Sequence, residues 1–354
     1  MTLMMNLTAA RTKPLRCLIV DDSATMRAVV SRLLSHDPMI QVVGQAADPM
    51  QARSMIKELD PDVLTLDVEM PGMNGLDFLE KIMTLRPMPV VMVSTLTTRG
   101  AEASLRALEL GAFDCYAKPA NIRVGDDGAL AAIVRAAAAS RPRTIRPALA
   151  PAAPARAAPA TFRPRADALI AIGASTGGVE ALLQVLSQMP ANCPPIMIVQ
   201  HLPSLFTASF ANRLDRSCAP TVVEAESGMV LQNGHVYLAP GGATHMEALG
   251  GGRLPRLRLF TGDTVSGHRP SVDILFRSVA KFGVGPVGIL LTGMGQDGAH
   301  GLLEMRNAGA RTIGQDEATS VVYGMPGVAH AIGGVEFQLP LDRVAGRALD
   351  LCRA

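Results

Sequence analysis

Leu15-Arg-Cys-Leu-Ile-Val-Asp-Asp-Ser23 is a mostly apolar run that stops on two acids and a serine. Such a run predicts a buried strand, and Ser23 is a good N-cap for a helix over residues 23–35. The figure repeats along the chain. Ile40–Ala46, Val63–Asp67, Val90–Ser94 and Ala112–Ala117 read as further strands, with helical stretches at 48–59, 74–85, 98–110 and 128–139. Five strand–helix units in succession predict a parallel sheet with helices on both faces. The figure returns later. Ala168–Ile172 reads as a strand, Gly177–Gln188 as a helix, Pro195–Val199 as a strand, and Val287–Leu291 as a buried strand before a helix at 297–308. Gly- and Pro-rich segments between them carry short strands such as His235–Leu238 and Leu257–Phe260. This region reads as a second α/β domain with a β-hairpin insertion, His235 lying in the hairpin.

Between the two regions, residues 141–165 hold eight Ala, six Pro and six Arg in 25 positions, and no acid. Proline removes backbone donors, and low complexity without apolar periodicity builds no core. A Pro/Ala/Arg-rich linker is expected over 140–166, its 25 residues at 141–165 spanning at most about 78 Å at ~3.1 Å per residue. Residues 1–14 are expected to be a disordered tail, which leaves domains at 15–139 and 167–354. Removing the linker's six positive charges from the chain's +2 leaves −4 for the rest. The folded domains therefore carry no nucleic-acid footprint.

The 354 residues are 48% hydrophobic, enough for two substantial cores. No apolar run reaches the ~18 residues that suggest a membrane helix, and no basic segment precedes an apolar N-terminal stretch. A cytoplasmic protein without membrane insertion is expected. Five scattered cysteines with no C-x-x-C pair read as free thiols.

Asp21 and Asp22 end the first strand and Asp67 ends the third. Ligands of an open parallel sheet bind outside the carboxyl ends of its strands. Three carboxylates converging there repel unless a cation neutralises them, and oxygen-only donors suit Mg²⁺. A carboxylate beside that ion can attack a phosphoryl donor. Ser94, ending the fourth strand, offers a hydroxyl to the phosphoryl oxygens, with Thr95 beside it as the other candidate. Lys118, ending the fifth, offers a counter-charge, and Pro119 after it suits a cis bond in a tight turn. Acids at strand ends are common, so the weight rests on the full set.

In the second region Ser175 sits between strand and helix in Gly173-Ala-Ser-Thr-Gly-Gly178. Glycines allow a tight turn that exposes the hydroxyl, and the helix N-terminus favours developing negative charge. A Gly-rich turn of this kind also serves phosphate or dinucleotide binding, although neither G-x-G-x-x-G nor G-x-x-x-x-G-K-[ST] is present. A base must come from seven histidines. His201 follows the strand adjacent to that of Ser175, and His268 in Ser266-Gly-His-Arg-Pro-Ser271 is its rival. Asp297, in Thr292-Gly-Met-Gly-Gln-Asp-Gly298, can orient the base, or cap the helix that follows. The Met294 amide is a candidate oxyanion donor. The order Ser, His, Asp differs from the α/β-hydrolase order.

Val20-Asp-Asp-Ser23, Leu66-Asp-Val-Glu-Met-Pro-Gly-Met-Asn-Gly75 and Lys118-Pro119 make residues 15–139 resemble the response-regulator receiver, a flavodoxin-like domain. The resemblance implies Asp67 as phospho-acceptor, Asp21 and Asp22 as further metal ligands, and Ser94 and Lys118 as switch residues. Residues 168–353 are similar to the chemotaxis protein-glutamate methylesterase domain, which is Rossmann-like. Gly173–Gly178, Val199-Gln-His-Leu-Pro203, Leu238-Ala-Pro-Gly-Gly242, Arg269-Pro-Ser-Val-Asp273, Leu291–Gly298 and Gly314-Gln-Asp-Glu-Ala318 carry that likeness. It implies Ser175, His201 and Asp297 as catalytic residues, with Thr176 and Met294 at the oxyanion. The implied substrates are γ-glutamyl methyl esters of methyl-accepting chemoreceptors, and glutamines for deamidation. The implied phosphoryl source is a chemotaxis sensor histidine kinase. Phosphorylation would need Mg²⁺, and ester hydrolysis no cofactor. The other readings are a receiver-linked adaptor with an inactive hydrolase domain, and an esterase for another acyl substrate.

Overall fold

The computed structural model describes residues 13–95, 97–118, 128–140, 162–250 and 255–354. The expected tail at 1–14 lies almost wholly, and the turn at Pro119 and residues 141–161 of the expected linker lie wholly, outside the described residues. The last residues of that expected linker join the second unit, with Phe162 buried, Pro164 bridged to Arg353 and the Arg165 amide donating to Cys352 O at 2.8 Å. The chain divides into two compact units, taken here one at a time.

Up to residue 139 the chain runs β1 (Leu15–Val20), α1 (Ala24–Ser35), β2 (Ile40–Ala46), α2 (Pro49–Leu59), β3 (Val63–Asp67), α3 (Gly75–Leu85), β4 (Val90–Ser94), α4 (Thr98–Glu109), β5 (Asp114–Ala117) and α5 (Ala129–Ala139). Ser23 caps α1 by accepting from the Met26 amide, and Asp48 and Asn74 cap α2 and α3 in the same way. Every residue of β3 and β4 is buried, as central strands covered on both faces require. The edge strands β2 and β5 are only partly covered. The parallel order is β2-β1-β3-β4-β5. It reverses between β1 and β3, where ligands gather in such sheets. Pairing of Val20 with Leu66 sets Asp21 and Asp67 side by side at that edge.

The second unit contains β6 (Ile170–Ala174), α6 (Gly178–Leu186), β7 (Ile196–Gln200), α7 (Ser204–Ser217), β8 (Thr221–Glu224), β9 (His235–Leu238), β10 (His245–Leu249), β11 (Arg256–Phe260), α8 (Val272–Ala280), β12 (Val287–Leu290), α9 (Ala299–Asn307), β13 (Arg311–Gln315), α10 (Met325–Ala331), β14 (Phe337–Leu339) and α11 (Leu341–Cys352). Seven parallel strands form one sheet in the order β14-β13-β12-β6-β7-β9-β8. The order turns at β6, with β7 on one side and β12 on the other. Both units are doubly wound.

The hairpin expectation needs correction. His235–Leu238 is not part of the hairpin but pairs in parallel with both β7 and β8. Its Val236, Tyr237 and Leu238 are buried, which a two-sided position in the main sheet demands. The hairpin is β10 with β11. The apolar face of α8 (Val272, Leu275, Phe276, Val279) shares a core with Leu290 of β12 and with Leu302 and Met305 of α9. Truncating a wholly buried ring such as Phe276 to alanine costs about 3–5 kcal/mol. That packing fixes the N-terminus of α8 near the end of β12, where the site is built.

Candidate active site

Ser175 follows the last residue of β6, and its N–H donates to Thr292 O at 3.0 Å. His201 follows β7, and its N–H donates to Ala174 O at 3.1 Å. The buried Gln200 amide donates to the carbonyls of both Ser175 (2.9 Å) and His201 (3.2 Å). Only Gly177 of the turn takes a left-handed φ, +78°, which glycine adopts at little cost. A Cβ on Gly293 would stand 2.8 Å from Ser175 Cβ. Its absence brings the Thr292–Gly298 loop against the serine.

Asp297 is 1% exposed and meets four donors. His201 Nε2 lies 2.9 Å and the Val272 amide 2.7 Å from Oδ2. The Ser271 hydroxyl lies 2.7 Å and the Asp273 amide 3.1 Å from Oδ1. Two of these are first-turn amides of α8, so Asp297 caps that helix and not the one following it. The expected cap of the following helix is filled by Gly298. Burial pushes the Asp297 carboxyl up, but hydrogen bonds from His201, Ser271 and Val272 and the charge on His201 outweigh it. The net effect holds the group below the usual carboxylate range.

An ionised carboxylate only accepts. His201 Nε2 must therefore carry a proton in either charge state of the ring, and in the neutral form the lone pair is on Nδ1. That nitrogen is buried and makes no hydrogen bond among the described residues. A poised acceptor of this kind suits a general base. Behind the acid, His245 Nδ1 accepts from the Ser271 amide (3.1 Å) while Nε2 donates to Asp263 O (2.8 Å). Sequence reasoning gave Ser271, Gln200 and His245 no role. The Ser-Val-Asp run opening α8 was the available signal, since a helix N-terminus offers donors to an anion. His268, the rival base, lies parallel on the His201 ring with centroids 3.7 Å apart. Thr176 is buried next to Ser175, and Met294 follows Gly293 in the loop that packs on it.

At the carboxyl edge of the first sheet, single carboxylate oxygens of Asp21, Asp22 and Asp67 lie within 4.8 Å of one another. Lys118 Nζ stands 2.9 Å from both Asp21 Oδ2 and Asp67 Oδ2. Burial pushes the Asp67 carboxyl up, and Lys118 offsets this only in part. Burial opposes charge on Lys118, but Asp67 and Asp21 more than compensate and raise it. Three carboxylates against one ammonium leave two negative charges over, so this oxygen-only set fits a small dication. Ser94 is buried, its Oγ donating to Thr95 O at 3.2 Å. The Ser94 carbonyl accepts from the Lys118 amide at 2.7 Å.

A family model described as CheB methylesterase matches residues 170–348, and one described as response regulator receiver domain matches residues 17–125. The protein-glutamate methylesterase/protein-glutamine glutaminase 1 of Rhizobium johnstonii is 57% identical over 342 residues, covering 96% of this chain and 97% of the relative. Its namesake from Caulobacter vibrioides is 59% identical over 344 residues, covering 96% and 98%. The crystal structure of the Thermotoga maritima CheB methylesterase catalytic domain is 34% identical, with a TM-score of 0.50, over 52% of this chain and 97% of that one.

Proposed function

This chain belongs to the CheB methylesterase family in its receiver-linked form, and from that premise we propose a phosphorylation-activated protein-glutamate methylesterase and protein-glutamine glutaminase. Its substrates are γ-glutamyl methyl esters and glutamines of chemoreceptors, met in the cytoplasm. Among the described residues no helix is long and apolar enough to cross a membrane.

The observation that carries the chemistry is the buried Asp297 carboxylate, 2.9 Å from His201 Nε2 at the edge where Ser175 emerges. Ser175 Oγ attacks the ester carbonyl while His201 Nδ1 takes its proton. Thr176 and the Met294 amide receive the oxyanion. Collapse expels methanol, which carries away the proton held by His201. Water, deprotonated by the same nitrogen, then cleaves the acyl-serine to glutamate and restores Ser175. With a glutamine side chain the leaving group is ammonia. The step uses only residues of the chain and water.

In the receiver, Asp67 accepts the phosphoryl group from a chemotaxis sensor histidine kinase. Asp21, Asp22 and Asp67 would hold Mg²⁺, which when bound supplies charge neutralisation to the transferring group. Lys118, already beside Asp67, is placed to pair with the phosphoryl oxygens, and the Ser94 hydroxyl reads the same change.

The test is methanol release from methyl-esterified receptor membranes, with and without Mg²⁺ and acetyl phosphate. Wild-type release should rise with the phosphodonor. Asp67→Asn should lose the rise, and Ser175→Ala should lose ~10⁴-fold or more in turnover. Wild-type rates in Ser175→Ala would remove the serine from its role.

A further inference from the structure

His268 is packed on the triad, yet the proposed reaction gives it nothing to do. Its ring covers one face of His201, with centroids 3.7 Å apart and planes 7° from parallel. The segment that delivers it is tightly built. Val265 and His268 exchange backbone hydrogen bonds of 3.0 and 2.9 Å. Between them Ser266 (φ 53°) and Gly267 (φ 80°) are both left-handed, the requirement of a two-residue type I′ turn. Arg269, next in the chain, donates from Nε to Gly242 O and from Nη1 to Gly262 O, each at 2.7 Å. Ser271 then donates to Asp297. One anchored strap thus grips both the base and the acid.

The His268 ring is also suited to stay neutral. Burial and the charge on His201 push it down to about 4, against a smaller opposite pull from Asp297. A neutral ring tolerates the imidazolium that His201 becomes, and its π-face attracts a cation. A second charged ring there would repel it.

We infer that His268 is a positioning residue, a flat aromatic plate that fixes the plane of His201 so that Nε2 stays on Asp297 and Nδ1 stays free for the serine proton. The inference rests on the reading of His201 as the base. A misplacement of ~1 Å in a reacting group costs roughly 10²-fold, and a ring free to turn about its own χ2 would suffer that order of loss.

The test is methanol release by the full chain with Mg²⁺ and acetyl phosphate. His268→Ala should lower kcat by ~10- to 100-fold with KM changed less than about twofold. His268→Phe keeps a flat ring and should stay within about threefold of wild type. In a His201→Ala background, adding His268→Ala should cost nothing further, because a residue acting through the base has no base left to act on. Three results overturn the inference: His268→Ala with wild-type kcat, which would leave the ring no role; His268→Phe as inactive as His268→Ala, which would make a ring nitrogen essential; or a further tenfold loss in the double variant. Wild-type turnover in His201→Ala alone would remove the base assignment itself, and His268 does not enter that measurement. If His268→Ala fails to fold, His268→Leu fills the space without a flat ring and takes its place, with the same loss expected and wild-type turnover overturning the inference.

Discussion

Replacing Asp297 with asparagine exchanges one carboxylate oxygen for an NH₂ group and removes the charge. Both orientations of the new amide create a conflict, but an unequal one. With NH₂ in place of Oδ2 it would face the Val272 amide, donor against donor. His201 Nε2 would also have to accept, moving the ring proton to Nδ1 and abolishing the base. With NH₂ in place of Oδ1 it would face the Asp273 amide, the longest of the four bonds at 3.1 Å, while the Ser271 hydroxyl can turn to accept. The second orientation should win, and it preserves the tautomer. What remains lost is the charged part of the His201 bond, about 1.5–3 kcal/mol. At about 1.4 kcal/mol per decade, kcat should fall roughly 10- to 150-fold with KM little changed. The assay is the initial rate of methanol release by the full chain with Mg²⁺ and acetyl phosphate. A loss of ~10⁴-fold, the size expected of a reversed tautomer, would refute the orientation argument. A loss below about threefold would refute the support of His201 by Asp297.

Gly177→Ala forces a side chain onto φ +78° and puts its Cβ 2.4 Å from Val321 Cγ2; thermal unfolding should report a loss of about 2–4 kcal/mol, and an unchanged melting point would contradict the geometry. His268 titrates at about 4 in the folded chain and at ~6.5 when unfolded. As pH falls, the unfolded state binds that proton first, so stability is lost from about 6.5 down through 4. Urea midpoints at pH 7 and 4.5 should differ more in wild type than in His268→Phe, and equal differences would sink the idea. The depressed Asp297 group works at lower pH: its stabilisation is present above ~3.8 and lost as pH falls through the folded value. Lys118→Met removes the ammonium that competes for Asp21 and Asp67, so calorimetry should show Mg²⁺ binding tightened by about tenfold; weaker binding would mean Lys118 organises the cation site.

The central strands were legible because continuous apolar runs ending on chemistry-bearing residues are what parallel strands buried on both faces look like. Ser175 and His201 could be set at one edge from sequence, since consecutive strands joined by a helix usually neighbour each other. The place of β12 on the other side of β6 is long-range and came only with the structure. His235–Leu238 was misplaced because a four-residue apolar run says nothing about its partners. β13 went unread because Arg311 opens it and Gly314 interrupts it. The support for Asp297 was invisible for a different reason. Ser271, Val272 and Asp273 lie 24–26 residues away in sequence, and nothing local links a helix N-terminus to an acid on another loop. Ser266-Gly267 reads as any turn until both φ values are known.

The strand order also explains why this site has its particular chain order and its glycine-rich loop. The proposed nucleophile Ser175 follows β6, the proposed base His201 follows β7 and the proposed acid Asp297 lies beyond β12, so base and acid belong to strands on opposite sides of the nucleophile. Neighbouring strands lie about 4.8 Å apart, which puts the ends of β7 and β12 roughly twice that distance from each other. An acid at the very end of β12 would fall short of His201. The chain instead runs seven residues beyond Leu290 before Asp297, crossing the end of β6. Gly293 permits that crossing, since a Cβ there would stand 2.8 Å from Ser175 Cβ. A carboxylate delivered across a sheet edge into the interior is costly unless it is met by donors. The N-terminus of α8 meets it from the far side with two amides and a hydroxyl. The glycine-rich loop, the position of Asp297 and the capping of α8 are therefore one geometric solution, and the Ser, His, Asp order of the proposed triad follows from placing Ser175 after the central strand.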